Sequence, residues 1–64
     1  MTVSDMFVVF GENTRFKLYK KDYNNGKLYV IFDDNLNYAE LWMLELYVVK
    51  AYVEKNGVVT CICA

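Results

Sequence analysis

The stretch LWMLELYVVKAYV, residues 41–53, constrains this chain more than any other. It has helical length but only two charged side chains, Glu45 and Lys50. At 100° per residue, Tyr38, Leu41, Trp42, Leu46, Val49, Tyr52 and Val53 share one wide arc. Glu40, Lys50 and Glu54 mark the opposite side, yet Met43 and Tyr47 lie among them, and Leu44, Val48 and Ala51 fill a flank. A 64-residue chain makes one small domain, 1–64, and such a domain buries only about 60% of the surface its unfolded chain exposes. One sheet cannot cover both sides of so apolar a helix. The surplus reads as a contact surface, because contiguous exposed apolar residues mark docking sites more than scattered ones do.

The rest of the chain reads as strands. Met6–Phe10 is a short apolar run bounded by Gly11 and Asn13, the expected first strand. Thr14–Lys21 alternates, with Phe16 and Leu18 on one side and Arg15, Lys17, Tyr19 and Lys21 on the other. Asn25-Gly26 is the dipeptide of a two-residue hairpin turn. Lys27–Phe32 returns as a third strand, with Leu28, Val30 and Phe32 on one face and Tyr29 and Ile31 on the other. DDNLN, residues 33–37, then ends the strand. Asn37 with Glu40 three residues on, or alternatively Asn35, caps a helix running from about Tyr38 to Asn56, and Gly57 closes it. Val58–Ile62 is the last strand. The expected architecture is α+β, in the order β-β-β-α-β, one long helix on a small antiparallel or mixed sheet.

Composition narrows the function classes. The chain is rich in apolar (56%) and aromatic (17%) residues with no proline, which argues against disorder. Its net charge of −1 provides no global field toward nucleic acid or anionic membrane. The opening MTVSDMFVVFGEN lacks the basic region of a signal peptide, and its apolar run is too short to span a membrane, so a cytosolic location is expected. There is no histidine. The only serine, Ser4, has no candidate base near it, the glycines are isolated, and Cys61 and Cys63 alone are too few for a zinc site. Nothing assembles a nucleophile, base and orienting group, so the chain reads as a non-enzyme without metal or cofactor. In a strand the two cysteines share a face, and they read as buried free thiols.

Five of the seven basic residues, Arg15, Lys17, Lys20, Lys21 and Lys27, fall in one hairpin with Tyr19, Tyr23 and Tyr29. Cations and aromatics on one sheet face suit single-stranded RNA. They suit a solvated outer face better, lysine being a guard against edge pairing, and a protein interface is the remaining reading. Single-stranded RNA binding is thus one reading of the chain, and a homodimer joined through the helix flank is another.

VVKAYVEKNGVVTCIC, residues 48–63, resembles the end of the Dmd family of antitoxins from T-even-like bacteriophages. The matching residues are Val49, Lys50, Ala51, Tyr52, Val53 and Glu54, then Val58 and Cys63; VVFGE, Val8–Glu12, resembles the family's first strand. Residues 13–47 do not align. The resemblance implies a helix across the Val-Lys-Ala run. It also implies a partner, a host endoribonuclease toxin of the RnlA/LsoA type in the host cytoplasm, inhibited by occlusion of its RNA-binding or catalytic groove so that phage messenger RNA survives. The residues expected to meet such a toxin are Trp42, Met43 and Tyr47 as anchors and Asp33, Asp34 and Glu40 as phosphate mimics. Glu45 joins them as a charge inside the apolar arc; it pairs internally, lies at the rim, or lines the partner surface.

Overall fold

The structure, a computed structural model, describes residues 1–64 and is α+β. Its elements are α1 (Val3–Phe10), β1 (Arg15–Lys21), β2 (Leu28–Asn35), a 3-10 turn (Leu36–Tyr38), the one-turn α2 (Leu41–Leu44), β3 (Val48–Val53) and β4 (Val59–Cys63). The strands form one mixed sheet in the order β2-β1-β4-β3. Both hairpins are antiparallel, and they join through the parallel pair β1–β4, in which Phe16 opposes Val59 and Leu18 opposes Cys61. α1, the 3-10 turn and α2 lie over one face.

The alternation of β1 holds: Phe16 and Leu18 are fully buried. Val59, Cys61 and Cys63 join them from β4, and Val48 from the start of β3; Val3, Met6 and Leu36 close the core from above. Each such side chain contributes roughly 1.5–3 kcal/mol by leaving water.

The expected first strand is instead α1. Val3, Met6, Phe7 and Phe10 fall at i, i+3, i+4 and i+7, and Val3 and Met6 are buried while Val8 and Val9 stand in solvent. Thr2 caps it. Its hydroxyl accepts from Asp5 N–H (3.3 Å) and its own N–H donates to the Asp5 carboxylate (2.9 Å). Gly11 (φ 84°) ends the helix, donating to the Phe7 carbonyl (2.8 Å).

The long helix over 38–56 does not form, and the order β-β-β-α-β is corrected with it. Asn35, the alternative cap, accepts from Asn37 N–H (2.9 Å), but what it caps is only the 3-10 turn. One turn of helix follows, and then β3. Val48, Val49 and Val53 are β-branched and Tyr47 and Tyr52 aromatic, the residue types that fit a pleated surface better than a helix. The Val-Lys-Ala run that resembles a family helix is therefore a strand here. Gly57 (φ 85°) closes no helix; its N–H donates to the Glu54 carbonyl (2.9 Å) in the three-residue loop of the β3–β4 hairpin.

The first hairpin forms where expected, with a longer loop than Asn25-Gly26 alone requires. Asp22 N–H donates to Lys27 O (2.8 Å), enclosing the four residues 23–26. Strand β2 continues through Asp33 and Asp34, which thus stand in the sheet and do not break it. Its alternation is interrupted at Ile31, because Leu18 opposes Phe32 while Tyr19 opposes Val30. The bulge puts Phe32 on the core face and leaves Leu28 and Val30 on the other.

Candidate functional site

Two surfaces stand out, one on each side of the sheet. The first is the strap over residues 38–47, which carries the chain from β2 at one edge to β3 at the other. Ala39, Met43, Leu44 and Leu46 are half-buried and pack on the core. Because the strap consists of short turns, its remaining apolar side chains have no second layer to enter. Tyr38 (76% exposed), Leu41 (71%), Tyr47 (59%) and Trp42 (48%) stand in water. The Trp42 indole N–H donates to the Glu40 carboxylate, which fixes an aromatic plate beside an acid.

The strap thus brings Glu40, Trp42, Met43, Glu45 and Tyr47 together. Met43 is half-buried, packed against the core and only partly available to a partner. Glu45 is exposed at the end of α2 and has no ion pair or side-chain hydrogen bond, so of its three readings the internal pair does not arise. Asp33 and Asp34 lie apart from this group, on β2. Asp33 is already engaged: its carboxylate accepts from Arg15 Nε (2.9 Å) and its carbonyl from an Arg15 terminal nitrogen (3.1 Å), which holds the guanidinium above its ordinary pKa. Asp34 is exposed and accepts from Asn35 N–H (2.7 Å).

The second surface is the uncovered sheet face. Strand register lays two rows across all four strands: Asp33, Lys17, Thr60 and Tyr52 in one, Val30, Tyr19, Ile62 and Lys50 in the next. The Lys17 ammonium sits 5.5 Å from the Tyr19 ring centroid. Tyr19, with Asp33 and Glu54 further off, holds that ammonium above the usual lysine range. Thr60 is buried beneath the row, and its hydroxyl has no hydrogen-bond partner. Lys50 and Tyr52 belong to this face because β3 is a strand; a period of two over Lys50, Tyr52 and Glu54 was the available signal. Tyr23 and Tyr29 lie elsewhere, in the hairpin loop and at the β2 edge.

Cys61 and Cys63 are buried free thiols on the core face. Burial pushes the Cys61 thiol up to about 11, with Cys63 adding to it. Cys63 is raised by the same cause, with Lys20 pulling the other way. No three metal-ligating side chains cluster, and the surface has no enclosed pocket. No helix is long and apolar enough to cross a membrane.

Fold and surfaces together define a class: a small α+β domain whose four-stranded mixed sheet is covered on one face and open on the other. No family model, curated protein or solved structure matches the chain.

Proposed function

We propose that the protein is a non-catalytic inhibitor that binds a host endoribonuclease toxin of the RnlA/LsoA type and blocks its access to RNA. The observation that carries this reading is the strap. Trp42, Leu41, Tyr38 and Tyr47 are exposed on one connection, flanked by the acids Glu40 and Glu45. Exposed tryptophan and tyrosine are the residue types that dominate binding energy in protein interfaces. Carboxylates beside them complement the positive potential of a groove built for RNA. The residue resemblance of 48–63 to the Dmd antitoxins supports the same partner, although here that stretch is a hairpin and contributes no helix to the contact. Asp34 extends the acidic character toward β2, while the Arg15 pair leaves Asp33 a smaller part.

The test is co-expression with RnlA- and LsoA-type toxins, followed by pull-down and an RNA-cleavage assay. Stoichiometric capture with loss of cleavage is the expected result. Trp42→Ala should weaken capture by about thirtyfold, as loss of an interface anchor worth about 2 kcal/mol does. Undiminished cleavage at excess protein would sink the proposal.

A second reading rests on the open sheet face, where Lys17 and Tyr19 stand beside Lys50 and Tyr52 in adjacent rows. Such a face suits single-stranded RNA. Its mark is RNA affinity that falls steeply with salt in the absence of any toxin.

A further inference from the structure

The N-terminal segment covers the outer edge of β3 only at its first residue, Val48, and otherwise runs beside the strap residues that precede it. Thr2 bridges Tyr47, Val48 N–H donates to the Met1 carbonyl (2.7 Å), and Val3 N–H donates to the Leu46 carbonyl (3.0 Å). Beyond Val48 no chain lies outside β3, which is the last strand of the sheet. The hydrogen-bonding phase of this free edge follows from its hairpin. Glu54 N–H donates inward to Val58 O (2.9 Å). Residues of an antiparallel strand alternate between bonding one neighbour and the other. Tyr52 therefore bonds inward to β4, and Ala51 and Val53 direct their N–H and C=O groups outward, where both residues are exposed.

We propose that this free edge pairs antiparallel with the same edge of a second copy, about a two-fold axis through Tyr52. In that register Ala51 faces Val53 of the other copy and the two exchange both hydrogen bonds. Lys50 then stands opposite Glu54 of the other copy, and symmetry makes this ion pair twice. Shifting the axis to Ala51 sets Glu54 against Val48, whose backbone already holds Met1, so that register collides with the N-terminal segment. Charge complementarity and the covered start of the edge thus select the same alignment. The product is a continuous eight-stranded sheet with its two open faces side by side. It does not depend on what the strap binds.

The experiment is sedimentation equilibrium of the full chain over a concentration series, with circular dichroism to verify folding. The wild type is expected to dimerise. Lys50→Glu alone and Glu54→Lys alone each set like charges opposite one another at two places and should weaken the dimer by about tenfold. The double reversal restores the opposite-charge pairs and should restore the dimer. A wild type that stays monomeric at millimolar concentration overturns the proposal. So does a dimer indifferent to both single reversals, or one that the double reversal fails to rescue.

Discussion

Cys61 sits at the middle of β4 with its thiol buried beside Leu18, its partner in the parallel pair. Desolvation disfavours the thiolate, so the folded protein keeps the proton that the unfolded chain gives up. Below pH 9, the ordinary thiol value, both states are protonated and the stabilising contribution is complete. Between 9 and about 11 only the unfolded state ionises, so stability falls as pH rises through that window. The loss is roughly 2–3 kcal/mol, at about 1.4 kcal/mol per pH unit. Urea unfolding across this window should show a steeper decline for the wild type than for Cys61→Ala; equal slopes would show that the thiol ionises freely. Alkylation of both cysteines should likewise wait for unfolding. That the two thiols share a face and are buried was legible from their spacing in a strand.

Among the elements, α1 depends most on a single side chain. Thr2 and Asp5 satisfy each other's backbone N–H groups reciprocally, and the helix they begin holds Val3 and Met6 on the core. Thr2→Ala should lower unfolding stability by about 1 kcal/mol, read as a shift in the urea midpoint at constant slope. An unchanged midpoint would mean that α1 is held by its packing alone. Sequence reading missed this helix because Met6–Phe10 is a run of five apolar residues, ambiguous by length. The decisive signals were Thr2 three residues before Asp5 and the spacing Val3, Met6, Phe7 and Phe10. The opposite error occurred at 48–53. Asn56-Gly57 repeats the dipeptide Asn25-Gly26 that marked the first hairpin, and it too lies between strand-forming runs. Read as a turn, it gives β3 and β4 at once; read as a helix end, it hides both the edge strand and the membership of Lys50 and Tyr52 in the open face. Of the residues expected to bind, Glu40 and Tyr47 are exposed on the strap, where the helical projection also leaves them exposed, whereas Trp42, which that projection buries, is exposed because the segment is too short and turn-rich to cover it.

At the scale of the whole molecule, the covered and uncovered faces imply a gradient of local stability. β1 and β4 are central and carry Phe16, Leu18, Cys61 and Cys63, whereas β2 and β3 are edges with exposed side chains. Amide exchange should therefore be slowest at inward-bonded positions of β1 and β4, reached only by global unfolding, and faster in α1 and both hairpin loops. Uniform protection across the strands would contradict that gradient. The α+β class was legible from alternation and turn dipeptides. Strand order was not, because the pairing of β1 with β4 joins segments some forty residues apart and leaves no local trace. That pairing also bears on how the chain is made. The strand that completes the middle of the sheet follows the other described elements in the chain, so the growing polypeptide first presents α1, one hairpin, the strap and β3 with no centre to pack on. Folding thus waits until Cys63 has cleared the ribosome, and until then the apolar strap, the inner edge of the first hairpin and the unpaired β3 are open to chaperones and proteases.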